Sequence, residues 1–144
     1  MAGVWVVVAV LVLSTAFGLA HRARAGRFRA RRRDADRRDA VDLRPVVVGL
    51  GEEPGERATL LQFSSAFCAP CRATRRILHD VAALVPGVKH VEVDAEQHFD
   101  LVRRLDISKT PTTLVLGADG RVTARAVGQP RKAEVLAAVG NAVP

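Results

Sequence analysis

The sequence predicts an α/β domain, a mixed central sheet with helices on both faces, preceded by one N-terminal transmembrane helix. Three observations lead there. Residues 2–20, AGVWVVVAVLVLSTAFGLA, carry no charge. From residue 45 onward, short apolar runs alternate with segments of helical spacing, in the order β, β, α, β, α, β, β, α. The only cysteines, Cys68 and Cys71 of FCAPC, stand where a strand run gives way to a helical one.

The uncharged run has about the length a helix needs to cross the hydrocarbon core, roughly 20 residues. Trp5 would sit near one interface. A cleaved signal peptide is the competing reading, but Met1–Val4 holds no basic side chain and arginines follow Ala20 directly. Only the C-terminal flank is basic, which points the N-terminus outward and the domain toward the cytoplasm. The opposite orientation, an extracytoplasmic domain, stays open.

Residues 21–44 hold ten Arg against four Asp, net +6, and residues 45–144 hold twelve Lys/Arg against eleven Asp/Glu, net +1. The formal charge of +7 is therefore almost wholly juxtamembrane. A near-neutral globular part argues against nucleic-acid binding. The arginines suit anionic lipid headgroups instead, and residues 2–33 are the expected lipid contact. Three regions follow: an anchor at 2–20, a basic linker at 21–44 and a domain at 45–144. In the linker, Asp34 and Asp36 lie near Arg37 and Arg38, compatible with partial helix.

Within the domain, PVVVGL (45–50) reads as a short strand and GEEPGE (51–56) as a loop. Ala58–Phe63 is apolar enough for a central strand buried on both faces. After SSAFCAPC, the residues Ala73, Ile77, Val81 and Leu84 recur at helical spacing, with Leu78 and Val85 beside them, up to Pro86-Gly87. VKHVEVDA (88–95) alternates as a strand. EQHFDLVRRL (96–105) is a shorter helix with Phe99, Val102 and Leu105 on one face. TPTTLVLG (110–117), the turn ADG and RVTARAVG form a hairpin. PRKAEVLAAVGNAV closes the chain as a helix with Pro130 in its first turn.

A structural zinc wants four ligands, and His21, His79, His90 and His98 are scattered without paired spacing. A disulfide across so short a loop removes little chain entropy, and a cytoplasmic setting disfavours a permanent one. A redox couple has a physical basis. Cys68 falls at a helix N-terminus, where unsatisfied N–H groups and the helix dipole favour a thiolate. Arg72 and Arg75 add positive charge. Cys71, one turn on and expected to be more buried, is placed to resolve a mixed disulfide. Pro70 stiffens the turn between them.

From about Ala58 to Val139 the chain resembles the thioredoxin family. Four features carry the likeness: FCAPC at the strand-to-helix turn, VEVDAE on the next strand, SKTPT before the hairpin, and Gly128 after Val127. The resemblance implies the thioredoxin fold and a thiol–disulfide oxidoreductase, with Cys68 as nucleophile and Cys71 as resolving cysteine. It implies a cis peptide bond before Pro111, and substrate contacts from Phe67, Ala69, Pro70, Thr110 and Gly128. It implies no metal and no cofactor beyond the redox-active pair. The implied partners are disulfide-containing proteins and an upstream protein reductant.

The chain departs from the family pattern at several places. Phe67 replaces a tryptophan and Ala69 a glycine. Gln62 stands where the family carries a buried Asp that helps deprotonate the resolving cysteine. His90 is nearest the place of that acid's lysine partner, and Arg76 replaces a helix-kinking proline. The thiol pair is intact while its acid–base support is altered, which fits a dedicated or slower exchanger. The same altered support leaves a non-redox adaptor as a further reading.

Overall fold

The computed structural model describes residues 2–24, 29–30 and 41–143. Helix α1 spans Ala2–Arg24, and its window Gly3–Ala20 has a mean hydropathy of 2.3 and is unburied by the rest of the protein. That length and apolarity suffice to cross a bilayer, and a signal sequence would have them too. Most of the expected linker, with the Asp34/Asp36 pairing, lies outside the described residues. Of it, residues 21–24 continue α1, and Arg29–Ala30 form a two-residue strand, β1.

The body follows as α2 (Arg44–Gly49), β2 (Ala58–Ser64), α3 (Ala69–Leu84), β3 (Val88–Asp94), α4 (Phe99–Arg104), β4 (Thr112–Gly117), β5 (Val122–Val127) and α5 (Lys132–Ala142). The sheet order is β1-β5-β4-β2-β3; β2 and β3 are parallel, and the other neighbours are antiparallel. This is the thioredoxin fold, a mixed sheet with helices on both faces.

Strand parity divides the core. Leu61 and Phe63 of β2, Val91 and Val93 of β3, and Leu114 and Leu116 of β4 point to one face, where Leu43, Val47, Leu105 and Ile107 cover them. Ala58 and Leu60, Val88 and Val115 point to the other, against Leu78 and Val81 of α3 and Val135, Ala138 and Val139 of α5. All seven residues of β2 are buried, as a central strand between two layers requires.

Four local expectations are corrected. PVVVGL is a helix, not a strand. Val46–Val48 are β-branched and favour strand locally, but Pro45 sits in the first turn of α2, where its ring suits helix. Helical spacing then buries Leu43 and Val47 together on the sheet, and tertiary burial overrides propensity. The entry to α2 is held by Leu43 N donating to Gly120 O at 3.0 Å. Gly120 has φ +76, and a side chain there would run into Asp42 and Arg44.

In α3 the buried stripe is Cys71, Thr74, Leu78 and Val81, and Leu84 is 61% exposed. The stripe continues at the half-buried Val85, four residues beyond Val81, rather than at Leu84. Helix α4 starts only at Phe99, because Asp94 holds the preceding residues in a turn. Its carboxylate accepts from Glu96 N and Gln97 Nε2, both at 2.8 Å. Phe99 consequently points to solvent at 66% exposure, while Leu105 is buried. Helix α5 begins at Lys132 with Arg131 as N-cap, so Pro130 precedes it. Glu134 accepts from Arg131 N at 3.1 Å.

Candidate functional site

The site sits at the end of the sheet where β2, β3 and β5 finish and β4 begins. Strand β2 delivers the chain through Ser65–Phe67 to Cys68, the N-cap of α3. Cys68 and Cys71 are joined as a disulfide, with Cα atoms 5.2 Å apart. Cys68 is partly exposed and Cys71 only 1% exposed. Cys71 N donates to Cys68 Sγ at 3.2 Å, so a backbone N–H of the helix N-terminus already points at the outer sulfur. The same N–H and the dipole of a 16-residue helix would stabilise a thiolate there once the pair is reduced.

The other expected site residues gather around this pair. Ala69 and Pro70 form the exposed first turn of α3. Phe67 is 98% exposed beside Cys68. The Thr110–Pro111 peptide bond is cis, Pro111 is buried and Thr110 half-buried. Ser65 Oγ and Thr110 Oγ1 lie 3.1 Å apart, tying the cysteine turn to the proline loop. Gly128 N donates to Pro111 O at 2.7 Å, and Gly128 has φ +90, a conformation that favours glycine.

Beneath the pair, Gln62 is fully buried. Its Nε2 donates to Cys71 O at 3.0 Å, and its Oε1 lies 3.0 Å from His90 Nε2. With the amide held this way round, His90 Nε2 is the donor. His90 neighbours Gln62 because β2 and β3 run parallel, with Leu60 opposite His90 and Gln62 opposite Glu92. Burial pushes the His90 imidazole down to about 4, the charge of Glu92 pulls it up, and His79 and Arg75 push it further down. His90 is therefore a neutral hydrogen-bonding group at neutral pH. The hydroxyls of Thr74 and Thr113 are buried with no hydrogen-bond partner among the described residues, Thr113 pairing with Gln62 across the sheet.

A groove of about 400 Å³ opens beside the pair, lined by Ser64, Ser65, Cys68, Cys71, Arg75 and Glu92 among others. Glu92 accepts from Arg75 Nη2 at 2.7 Å and from Ser64 Oγ. Burial pushes its carboxyl up, but these hydrogen bonds outweigh burial and hold it below the ordinary value. Arg75 was expected to lend its charge to the thiol. Glu92 takes it up instead, leaving Arg72 as the exposed cation in the first turn of the helix. Sequence reasoning missed Ser64, Thr74, Glu92 and Thr113. The signal available for Glu92 was parity, since it shares the face of His90 on β3. Among the described residues, no group of three His, Cys, Asp or Glu is placed to hold a metal ion.

Comparison with known proteins agrees with this arrangement. The Thioredoxin family model matches residues 53–141. Thioredoxin domain-containing protein 2 of Homo sapiens is 36% identical over 61 residues, 42% of this chain and 11% of its own length. Thioredoxin of Chlamydia pneumoniae is 33% identical over 69 residues, 48% of this chain and 67% of its own. The chain thus spans a small part of the first of these relatives and two thirds of the second. Among solved structures, chloroplastic thioredoxin z superposes with a TM-score of 0.56 at 26% identity, over 67% of this chain and 83% of that one.

Proposed function

The chain belongs to the thioredoxin family, and on that premise we propose that it is a membrane-anchored thiol–disulfide oxidoreductase acting on protein disulfides through Cys68 and Cys71. The observation that carries the reading is the arrangement of the pair: an accessible sulfur at a helix N-cap, bridged to a buried one a turn away. In the reduced protein, the Cys68 thiolate attacks one sulfur of a target disulfide and expels the other as a thiolate. Cys71 then gives up its proton and attacks Cys68 Sγ, releasing the second target thiol. Two electrons pass to the target, two target thiols form, and the Cys68–Cys71 bond is made. A protein dithiol of lower potential must return the two electrons.

Phe67, Ala69 and Pro70 adjoin the cysteines along the chain, Thr110 is tied to Ser65 and Gly128 to Pro111, and these five would supply the surface a target segment contacts. Residues 2–20 would hold the protein in the bilayer, residues 2–33 would make its lipid contacts, and residues 45–144 would form the working domain. The basic flank favours a cytoplasmic position for that domain. The test is reduction of a disulfide-bridged protein together with equilibration in thiol buffers. The expected outcome is turnover that Cys68→Ser abolishes, mixed disulfides that accumulate in Cys71→Ser, and a potential near that of a reducing thioredoxin, about −270 mV. A pair that shows no reversible couple would leave only an adaptor role.

A further inference from the structure

One row of the sheet passes beneath the inner cysteine. Glu92, Gln62, Thr113 and Ala126 stand opposite one another on β3, β2, β4 and β5. The row lies two residues from Leu60 and Val115, so it shares the face on which α3 packs. The buried stripe of α3 begins over it, with Cys71 and then Thr74. Gln62 Nε2 donates to Cys71 O and so ties this row to the inner cysteine.

Two hydroxyls here stand apart. In the domain, Thr59, Thr110, Thr112 and Thr123 each have a hydroxyl partner. Thr74 and Thr113 are 0% exposed and have none among the described residues. Burying a hydroxyl unpaired is unfavourable. Both lie where a sulfur that is 1% exposed must become a thiolate during exchange. The charged and titratable groups nearby are engaged elsewhere or exposed. His90 is neutral and donates to Gln62, Glu92 is held by Arg75 and Ser64, Asp94 accepts from Glu96 N and Gln97 Nε2, and Arg72 is exposed.

We infer that Thr74 and Thr113 serve the reduced protein: their hydroxyls donate to the Cys71 thiolate and hold it for attack on Cys68 Sγ. The inference rests on the exchange reaction proposed above. Thr74 follows Cys71 by three residues on one helix face, a spacing that puts Cβ atoms about 5–6 Å apart. Thr113 faces Gln62 across the sheet at about 4.5–5.5 Å between Cβ atoms. A hydroxyl turns freely to suit its acceptor. A bonded sulfur is a weak acceptor and a thiolate a strong one, so the two hydroxyls gain their partner only on reduction. Neither threonine takes the proton. Cys71 lines the groove and loses its proton there to solvent water. Its sulfur then bonds to Cys68 Sγ, the bond from Cys68 to the target breaks, and the target sulfur leaves as a thiolate.

The test compares the full chain with Thr74→Val/Thr113→Val and Thr74→Ser/Thr113→Ser in mild detergent. Valine keeps the shape of threonine, and serine keeps its hydroxyl. The Cys71 titration is followed by ultraviolet thiolate absorbance in the Cys68→Ser background. Hydrogen bonds to a charged acceptor are strong enough that the valine pair should lower the thiolate population about tenfold or more, a rise of about one unit or more in the Cys71 pKa. Each unit slows resolution of the mixed disulfide only about three- to fourfold, because the more basic thiolate is the better nucleophile. The serine pair should keep the unsubstituted value. The unsubstituted chain is first equilibrated in thiol buffers. Absence of a reversible couple there overturns the proposed reaction and this inference together. With the couple present, an unchanged Cys71 pKa in the valine pair, or an equal rise in the serine pair, overturns this inference alone.

Discussion

Protonation of His90 should make this fold lose stability in mild acid. The imidazole is packed between Gln62, to which it donates, and the Glu92–Arg75 pair, and burial lowers it from 6.5 to about 4. Above about pH 6.5 both the folded and the unfolded chain hold this residue neutral, and it adds no pH dependence. Between that value and about 4, the unfolded chain takes up a proton that the folded protein refuses. Stability therefore falls as pH falls, and the loss levels off once the folded state also titrates. A gap of about 2.5 units at 1.36 kcal/mol each puts the full loss at about 3 kcal/mol, of which about 2 has appeared by pH 5. Urea unfolding of the oxidised protein in mild detergent, at about pH 7 and pH 5, measures it. His90→Asn, which carries no titrating group, should lose about 2 kcal/mol less over that interval than the unsubstituted protein. Glu92 does not confuse the reading, because its carboxyl is held below the ordinary value of 4.5 and contributes its own loss only at lower pH. Parallel profiles for the two proteins would refute the reasoning, since they would mean that His90 is solvated well enough to titrate normally.

Two other substitutions probe packing and charge. Leu78→Ala removes a fully buried side chain of α3 from the sheet face it shares with Leu60 and Val81, and should cost 2–5 kcal/mol, read as a lowered Tm. A change under about 1 kcal/mol would mean that the neighbouring side chains close the space. Arg75→Gln breaks the pair with Glu92, but the Arg75 side chain is 52% exposed. The expected loss is below about 1 kcal/mol by urea unfolding, and the Glu92 carboxyl should titrate at higher pH by NMR; a loss above about 2 would show the pair to be structural.

Much of the site was legible because its parts are local. Cys68 and Cys71 are three positions apart at a junction that both strand and helix patterns mark, and Pro111 opens a strand run of its own. Gln62 stood out because it takes the place of a buried Asp in the family that the chain resembles. What it touches did not, because its contacts with His90 and Cys71 cross 28 and 9 residues of sequence. The Ser64–Glu92–Arg75 cluster was missed for the same reason: it exists only in the register of β2 against β3. The helix at 44–49 was misread because three successive valines outweigh a proline in a local reading, and only the sheet face waiting to be covered reverses the balance.

The sequence by itself determined the apolar N-terminal segment, the redox pair at a helix start, and the succession of strands and helices from Ala58 onward. Each of these is written in spacings shorter than one element. Only the tertiary structure decided how Gln62, His90 and Cys71 join beneath the disulfide, that Arg75 is claimed by Glu92, and that β1 adds to the sheet antiparallel to β5. Those depend on strand register and direction, which the packing of two opposite faces selects and no local pattern encodes.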